Sequence, residues 1–212
     1  GLFDITSGAL RRAWNFKSNQ LPTQQQIDEA LKLVGWHYVE WQRPHIVLKL
    51  KGMEIDFGGY VKEYAVDAAA NTLRSYGINA GLVDLGGDLK VLGPHPDNKP
   101  WQIGIRHPRD PVNAIATTTL GQGAIASSGD YERFMTIEDK RYAHILNPKT
   151  GWPAEGFSAV SVIASECLIA GSCSTVAMLK GEKEGKAWLE SLKLPYISVN
   201  KDMHVEGTTN IN

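Results

Sequence analysis

Two hydrophobic periods run through this chain, and each marks a kind of element. Ile27, Ala30, Leu31 and Val34 recur at helical spacing within 20–35; Thr23 can cap that helix and Gly35 can end it. Ala65, Ala69 and Leu73 predict a helix over 61–76, closed by Gly77. Small residues over Ala170–Leu179 predict a buried helix, and 183–192 an amphipathic one. Strand patterns fill the intervals. Trp36–Trp41 and His45–Leu50 predict a strand pair around Gln42-Arg43-Pro44, and Met53–Phe57 a strand running into Gly58-Gly59. Gly81–Leu85 predicts a short strand before the glycine turn Gly86-Gly87-Asp88. Trp101, Ile103 and Ile105 alternate as a half-buried strand does. Ile115–Leu120 and Ala124–Ser127 predict a hairpin around Gly121-Gln122-Gly123. Arg141–Leu146 predicts a strand ending in the turn Asn147-Pro148-Lys149-Thr150-Gly151, Val160 and Val162 mark another, and 196–199 with 203–205 a closing hairpin. Strands outnumber helices and several are sequential. The expected fold class is therefore α+β, one domain over 1–212 with mixed or antiparallel sheets.

Composition narrows the function classes. The chain has 212 residues, 42% hydrophobic and 21% charged, enough for a substantial core without staples. A net charge of −1 gives no basic field for nucleic acid. No apolar run reaches the length of a membrane span, and no secretory signal is visible. Cys167 and Cys173 lack a partner pair at zinc spacing and read as buried free thiols. The opening Gly1-Leu2-Phe3-Asp4-Ile5-Thr6 starts in mid-motif, so a missing N-terminal part is expected.

Candidate chemistry concentrates at Ile55–Asp67, where a strand, Gly58-Gly59 and a helix start are expected in succession. Glycines admit a ligand close to the backbone, and a helix start offers free amides to a phosphate. Asp56, Lys62 and Glu63 are expected around that opening. No turn fits the dinucleotide or P-loop pattern, and the six histidines show no metal spacing. His144 is either structural or a general base beside Thr150-Gly151. Ser172, Ser174 and Thr175 either cap and pack a helix or offer hydroxyls to a hard cation.

In their order, Phe3-Asp4-Ile5-Thr6, Asp56-Phe57-Gly58-Gly59, Lys62–Asp67, Gly86-Gly87-Asp88, Ser128-Gly129-Asp130-Tyr131, His144–Gly151 and Ala170–Thr175 resemble the ApbE-like flavin transferases. The resemblance implies an ApbE-like (T-fold-like) architecture that binds FAD in a cleft. It implies Mg²⁺-dependent transfer of the FMN half of FAD to a Thr or Ser hydroxyl of a target flavoprotein, with release of AMP. Targets in the family are subunits of membrane redox complexes. The resemblance places the protein at the periplasmic face of the inner membrane, with a lipid anchor in the full-length protein. By position, Phe3, Asp4, Asp56, Lys62 and Leu146 fall on flavin contacts. Gly59 and Thr175 fall on metal ligands, and His144 on the histidine of transfer. The alternative is a non-catalytic FAD-binding homologue that acts as a flavoprotein maturation partner.

The sequence departs from that pattern at two segments. Gly171 stands where many relatives carry a metal-binding aspartate, and Glu63 stands where they often have glycine. Glu63 is therefore a candidate for the missing charge, with Thr175 and Ser174 completing the set. The other reading makes Glu63 a solvated first-turn acid that favours the helix dipole.

Overall fold

The structure is a computed structural model that describes residues 1–209. The chain divides into two compact units, Gly1–Phe57 with Glu132–Ala154, and Gly58–Tyr131 with Glu155–Asn212. The boundary falls between Phe57 and Gly58. Asp56 therefore belongs to one unit, Lys62 and Glu63 to the other.

The smaller unit holds one α-helix and two hairpins. Helix α1 (Gln24–Leu31) starts at Thr23, whose hydroxyl accepts from Gln26 N while the Gln26 side chain accepts from Thr23 N. This reciprocal capping box satisfies two amides that a helix start leaves open. The helix ends at Leu31, earlier than Gly35, which instead opens a 3-10 turn over Trp36–Tyr38. Strands β1 (Val39–Gln42) and β2 (His45–Leu48) pair antiparallel. Met53–Phe57 is not a strand. It is an extended segment held by a single Ser7–Glu54 bridge and by Asp56 N donating to Ile5 O at 2.7 Å. Strands β8 (Phe134–Ile137) and β9 (Lys140–Ala143) form a hairpin where only a strand over 141–146 was expected. Trp14, Ile27 and Met135 form the core, with Leu31, Tyr142, Leu146 and Trp152 packed on it.

The larger unit is a six-stranded antiparallel sheet with helices. Its strands are β3 (Gly81–Leu85), β4 (Asp88–Gly93), β7 (Ala124–Gly129), β10 (Phe157–Ala164), β11 (Tyr196–Asn200) and β12 (Val205–Gly207), in the order β12-β11-β10-β7-β4-β3. Gly86 and Gly87 join β3 to β4 with φ of 65° and 89°. A two-residue hairpin turn with both central residues left-handed is glycine's role. Strands β5 (Trp101–His107) and β6 (Asp110–Leu120) pair with each other, and β7 joins the large sheet beside β4 and β10. The expected hairpin around Gly121-Gln122-Gly123 does not form: that turn carries the chain from one sheet to the other. Helices α2 (Val61–Ser75), α3 (Cys167–Lys180) and α4 (Glu182–Leu192) complete the unit.

Helix α2 buries Glu63, Val66, Asp67 and Ala70, a face turned away from the expected Ala65–Ala69–Leu73 stripe. Two acids on the buried face hid it from an apolar count. Asp67 explains itself: its carboxylate accepts from Cys167 N and Leu168 N, both at 2.9 Å, and so caps α3 from another helix. Buried Lys90 binds Ser165 O at 2.5 Å and Glu166 Oε2 at 2.6 Å, tying β4 to the same end. The α+β class with antiparallel sheets is as expected.

Candidate functional site

In the smaller unit, His144 follows β9 directly. Its amide donates to Arg133 O at 2.9 Å, one step beyond the hairpin ladder. The ring repeats the contact, with Nδ1 3.1 Å from the same carbonyl. A carbonyl only accepts, so Nδ1 carries the proton and Nε2 presents a lone pair. Burial holds the imidazole below its ordinary pKa, only partly opposed by the Arg133 carbonyl. The ring is thus a neutral base at neutral pH. Asp56 lies near enough for its charge to act on the ring. Asp56 is held by Arg11, whose Nη1 is 3.1 Å from Asp56 Oδ2 while Nη2 binds Glu54.

The turn after His144 is rigid for local reasons. Lys149 N donates to the Asn147 side chain at 2.9 Å and Gly151 N to Asn147 O at 2.8 Å. Gly151 has φ of 72°, and a Cβ there would lie 2.4 Å from Ile27 Cγ2. Trp14 Nε1 donates to Gly151 O at 2.7 Å, tying the turn to the core. Leu146 is bridged to Pro153 and packs on that core. Asp4 accepts from Thr6 N at 3.0 Å and from Thr6 Oγ1 at 2.7 Å, which makes it the hinge of a tight turn. Phe3 precedes it, half-buried. The structure thus gathers Phe3, Asp4, Asp56, His144 and Leu146 in one unit.

The larger unit holds Gly59, Lys62, Glu63, Ser174 and Thr175. Glu63 sits in the first turn of α2 and is only 7% exposed, so it is not the solvated acid of the dipole reading. Gly171 makes room for it: a Cβ there would lie 2.5 Å from Glu63 Cγ and 2.7 Å from Oε1. A side chain at 171 and the Glu63 side chain would claim the same space. Burial pushes the Glu63 carboxyl pKa up, and the Asp88 charge adds to the rise. The Asp88 carboxyl is pushed up by burial too, against the pull of Lys62, whose Nζ is 2.9 Å from Asp88 Oδ2.

Ser174 and Thr175 lie well inside α3, not at its start, so capping is not their task. Their hydroxyls form a directed chain. Ser174 Oγ donates to Gly171 O at 3.0 Å. Ser128 Oγ, 2.7 Å from Ser174 Oγ, must therefore donate to it. Having spent its proton, Ser128 can only accept from Thr175 Oγ1, 2.9 Å away. Thr175 is left presenting lone pairs, the state a hard cation wants. In sequence Ser128 stands out only as part of the Ser128-Gly129-Asp130-Tyr131 motif; it lies in β7, where its hydroxyl orients Thr175, a contact that no local signal shows. Asp88 was visible only as part of a turn.

The α+β fold thus carries a neutral histidine in its smaller unit and a buried set of carboxylate and hydroxyl oxygens in its larger one. The chain belongs to the ApbE family, whose profile matches residues 1–198. It is 34% identical to the FAD:protein FMN transferase of Chlamydia pneumoniae, over 90% of this chain and 61% of that protein. With the namesake of Vibrio cholerae it shares 28% identity, over 95% of this chain and 62% of the relative. The crystal structure of the ApbE protein of Thermotoga maritima superposes with a TM-score of 0.88 at 34% identity, covering 98% of this chain and 70% of that one. The flavin transferase ApbE of Vibrio cholerae gives 0.83 at 28%, covering 99% and 69%. The chain spans about three fifths of the length of the curated relatives it matches.

Proposed function

We propose that residues 1–212 work as one ApbE-like domain that moves the FMN half of FAD onto a Thr or Ser hydroxyl of a target flavoprotein. The relatives named FAD:protein FMN transferase support the reaction class. The observation that carries the residue-level reading is the tautomer of His144: Nδ1 is committed to Arg133 O, which leaves Nε2 to accept a proton. The acceptor hydroxyl oxygen bonds to the FMN phosphorus, the pyrophosphate P–O bond to AMP breaks, and AMP leaves with that electron pair. The hydroxyl proton passes to His144 Nε2. Phe3, Asp4, Asp56, Lys62 and Leu146 hold the flavin, and Asp56 accepts from its N–H edge.

The family's cation has a fitting donor set here. Buried Glu63 Oε2 accepts no hydrogen bond, and Thr175 presents lone pairs. Glu63, Thr175, Ser174 and the Gly59 carbonyl would hold Mg²⁺. Bound there, the cation would neutralise charge on the pyrophosphate as it breaks. The target is a subunit of a membrane redox complex. The reaction takes place at the periplasmic face of the inner membrane, with the full-length protein lipid-anchored. Among the described residues no helix is long and apolar enough to cross a membrane.

The test is incubation with FAD, Mg²⁺ and a target domain, read as flavin fluorescence in a denaturing gel. His144→Ala should keep FAD binding and lose about two to four orders of magnitude in rate. FAD binding without any transfer by the unmodified protein would favour a non-catalytic maturation partner. Undiminished transfer by His144→Ala would return that histidine to a structural role.

A further inference from the structure

Two carboxylate oxygens in the larger unit, Glu63 Oε2 and Asp88 Oδ2, are fully buried yet accept no hydrogen bond. Their residues are 7% and 1% exposed. Native proteins leave few buried polar atoms in this condition, and each asks for an explanation. Both come from rigid places. Glu63 projects from the first turn of α2, and Asp88 opens β4 at the end of the two-glycine turn. Ser127 N fixes the other Asp88 oxygen at 3.2 Å. The two carboxyls are close enough for the charge of one to act on the other, and neither can donate to its neighbour unless it carries a proton.

Lys62 Nζ lies 2.9 Å from Asp88 Oδ2 and pairs with it. Its side chain is 43% exposed, against 2% for that of Asp88. One long, half-exposed ammonium thus faces two buried carboxyls, and the group stays short of positive charge. Cys167 lies near enough to feel both acids, but burial pushes its thiol pKa far up and keeps it protonated. No soft thiolate competes, so the donors are hard oxygens.

We propose that Glu63 and Asp88 form a two-carboxylate cradle for a hard divalent cation, and that Lys62 is the counter-ion which the cation displaces from Asp88. This rests on the cation reading above and adds Asp88 and Lys62 to it. The geometry is the reason: Glu63 Oε2 is buried with no hydrogen-bond partner, Asp88 Oδ2 beside it has the ion pair with Lys62, and a divalent ion would serve both oxygens at once. Lys62 can leave because its side chain already borders solvent.

The full chain, stripped with EDTA and dialysed, is titrated with Mn²⁺ in the absence of FAD, and free Mn²⁺ is read by electron paramagnetic resonance. Asp88→Asn and Glu63→Gln should each weaken Mn²⁺ binding about tenfold or more. Lys62→Met should tighten it a few-fold, because a competitor is gone. Wild-type affinity in folded Asp88→Asn overturns the proposal. If Glu63→Gln still weakens binding in that case, the cation reading of Glu63 survives. If neither variant changes binding, both fall. Should Asp88→Asn fail to fold by circular dichroism, Lys62→Met decides: unchanged or weaker Mn²⁺ binding there overturns the displacement and the cradle with it.

Discussion

Asp130 and Asp88 sit in the same unit and are equally buried, at 1% exposure, yet they are treated in opposite ways. Asp130 is surrounded by donors. Arg109 reaches its two oxygens at 2.6 and 2.9 Å, and Lys201 adds a contact at 2.7 Å. Burial alone would push its carboxyl pKa up, but these bonds more than reverse that and hold it below the usual value. Asp88 has only Ser127 N and the half-exposed Lys62 against it, Glu63 Oε2 has no hydrogen-bond partner, and both carboxyls have a raised pKa. Burial by itself thus says nothing about whether a carboxylate serves the fold. Satisfaction separates the two: both oxygens of Asp130 accept from Arg109 or Lys201, whereas Asp88 has one amide and one ion pair and Glu63 Oε2 has no hydrogen-bond partner.

The contrast can be broken by substitution. Asp130→Ala strands Arg109 and Lys201. Losing one partner of a buried pair costs about 3–5 kcal/mol, and the partial exposure of both cations reduces this to roughly 2–4 kcal/mol. Chemical denaturation would measure it; a loss under 1 kcal/mol would put Asp130 with Asp88. Next in size is Gly171→Asp, which overpacks the space of Glu63 at a cost of about 1–3 kcal/mol. Glu63→Gly/Gly171→Asp should recover most of that loss, and additive effects would show that the two positions do not share space.

Glu63→Met, measured in EDTA, should be about 1 kcal/mol more stable than wild type, since it removes an unsatisfied buried oxygen. A loss of similar size would make the Glu63 carboxylate part of the fold. The smallest effect is in pH. The Asp130 carboxyl has a folded pKa below its usual 3.8, so its stabilisation is complete above that value and fades as pH falls through the folded one. The stability gap between wild type and Asp130→Asn should therefore close only below about pH 4. A gap already closing at pH 6 would contradict the clamp.

Much of the architecture was legible in local signals. Thr23 announced the start of α1, Gly77 the end of α2, and Gly86-Gly87 the turn that ends β3, though not the strand β4 beyond it, because caps and left-handed turns are decided by a few adjacent residues. The errors were tertiary in origin. Met53–Phe57 has strand composition but enters no ladder, its described β-pairing being the one Ser7–Glu54 bridge, and a strand exists only by pairing. The turn Gly121-Gln122-Gly123 looked like a hairpin because sequence shows a turn and not the sheet each flank joins. The buried face of α2 was misplaced because Glu63 and Asp67 count as polar wherever they point.

The sequence by itself determined the α+β class, most helices, the resemblance to flavin transferases, and the pairing of an acid at 63 with glycine at 171. Those depend on residue identity and short-range order. Tertiary structure alone decided which acids are satisfied. That Asp67 caps α3, that Asp130 is clamped and that Asp88 accepts from Ser127 depends on donors 21 to 101 positions away in the chain, and none reaches Glu63 Oε2. The His144 tautomer was likewise fixed by a carbonyl 11 residues back, across the β8–β9 hairpin. Hydrogen bonding is short-ranged in space but indifferent to sequence separation, so a side chain's proton and charge state is written only once the chain has folded.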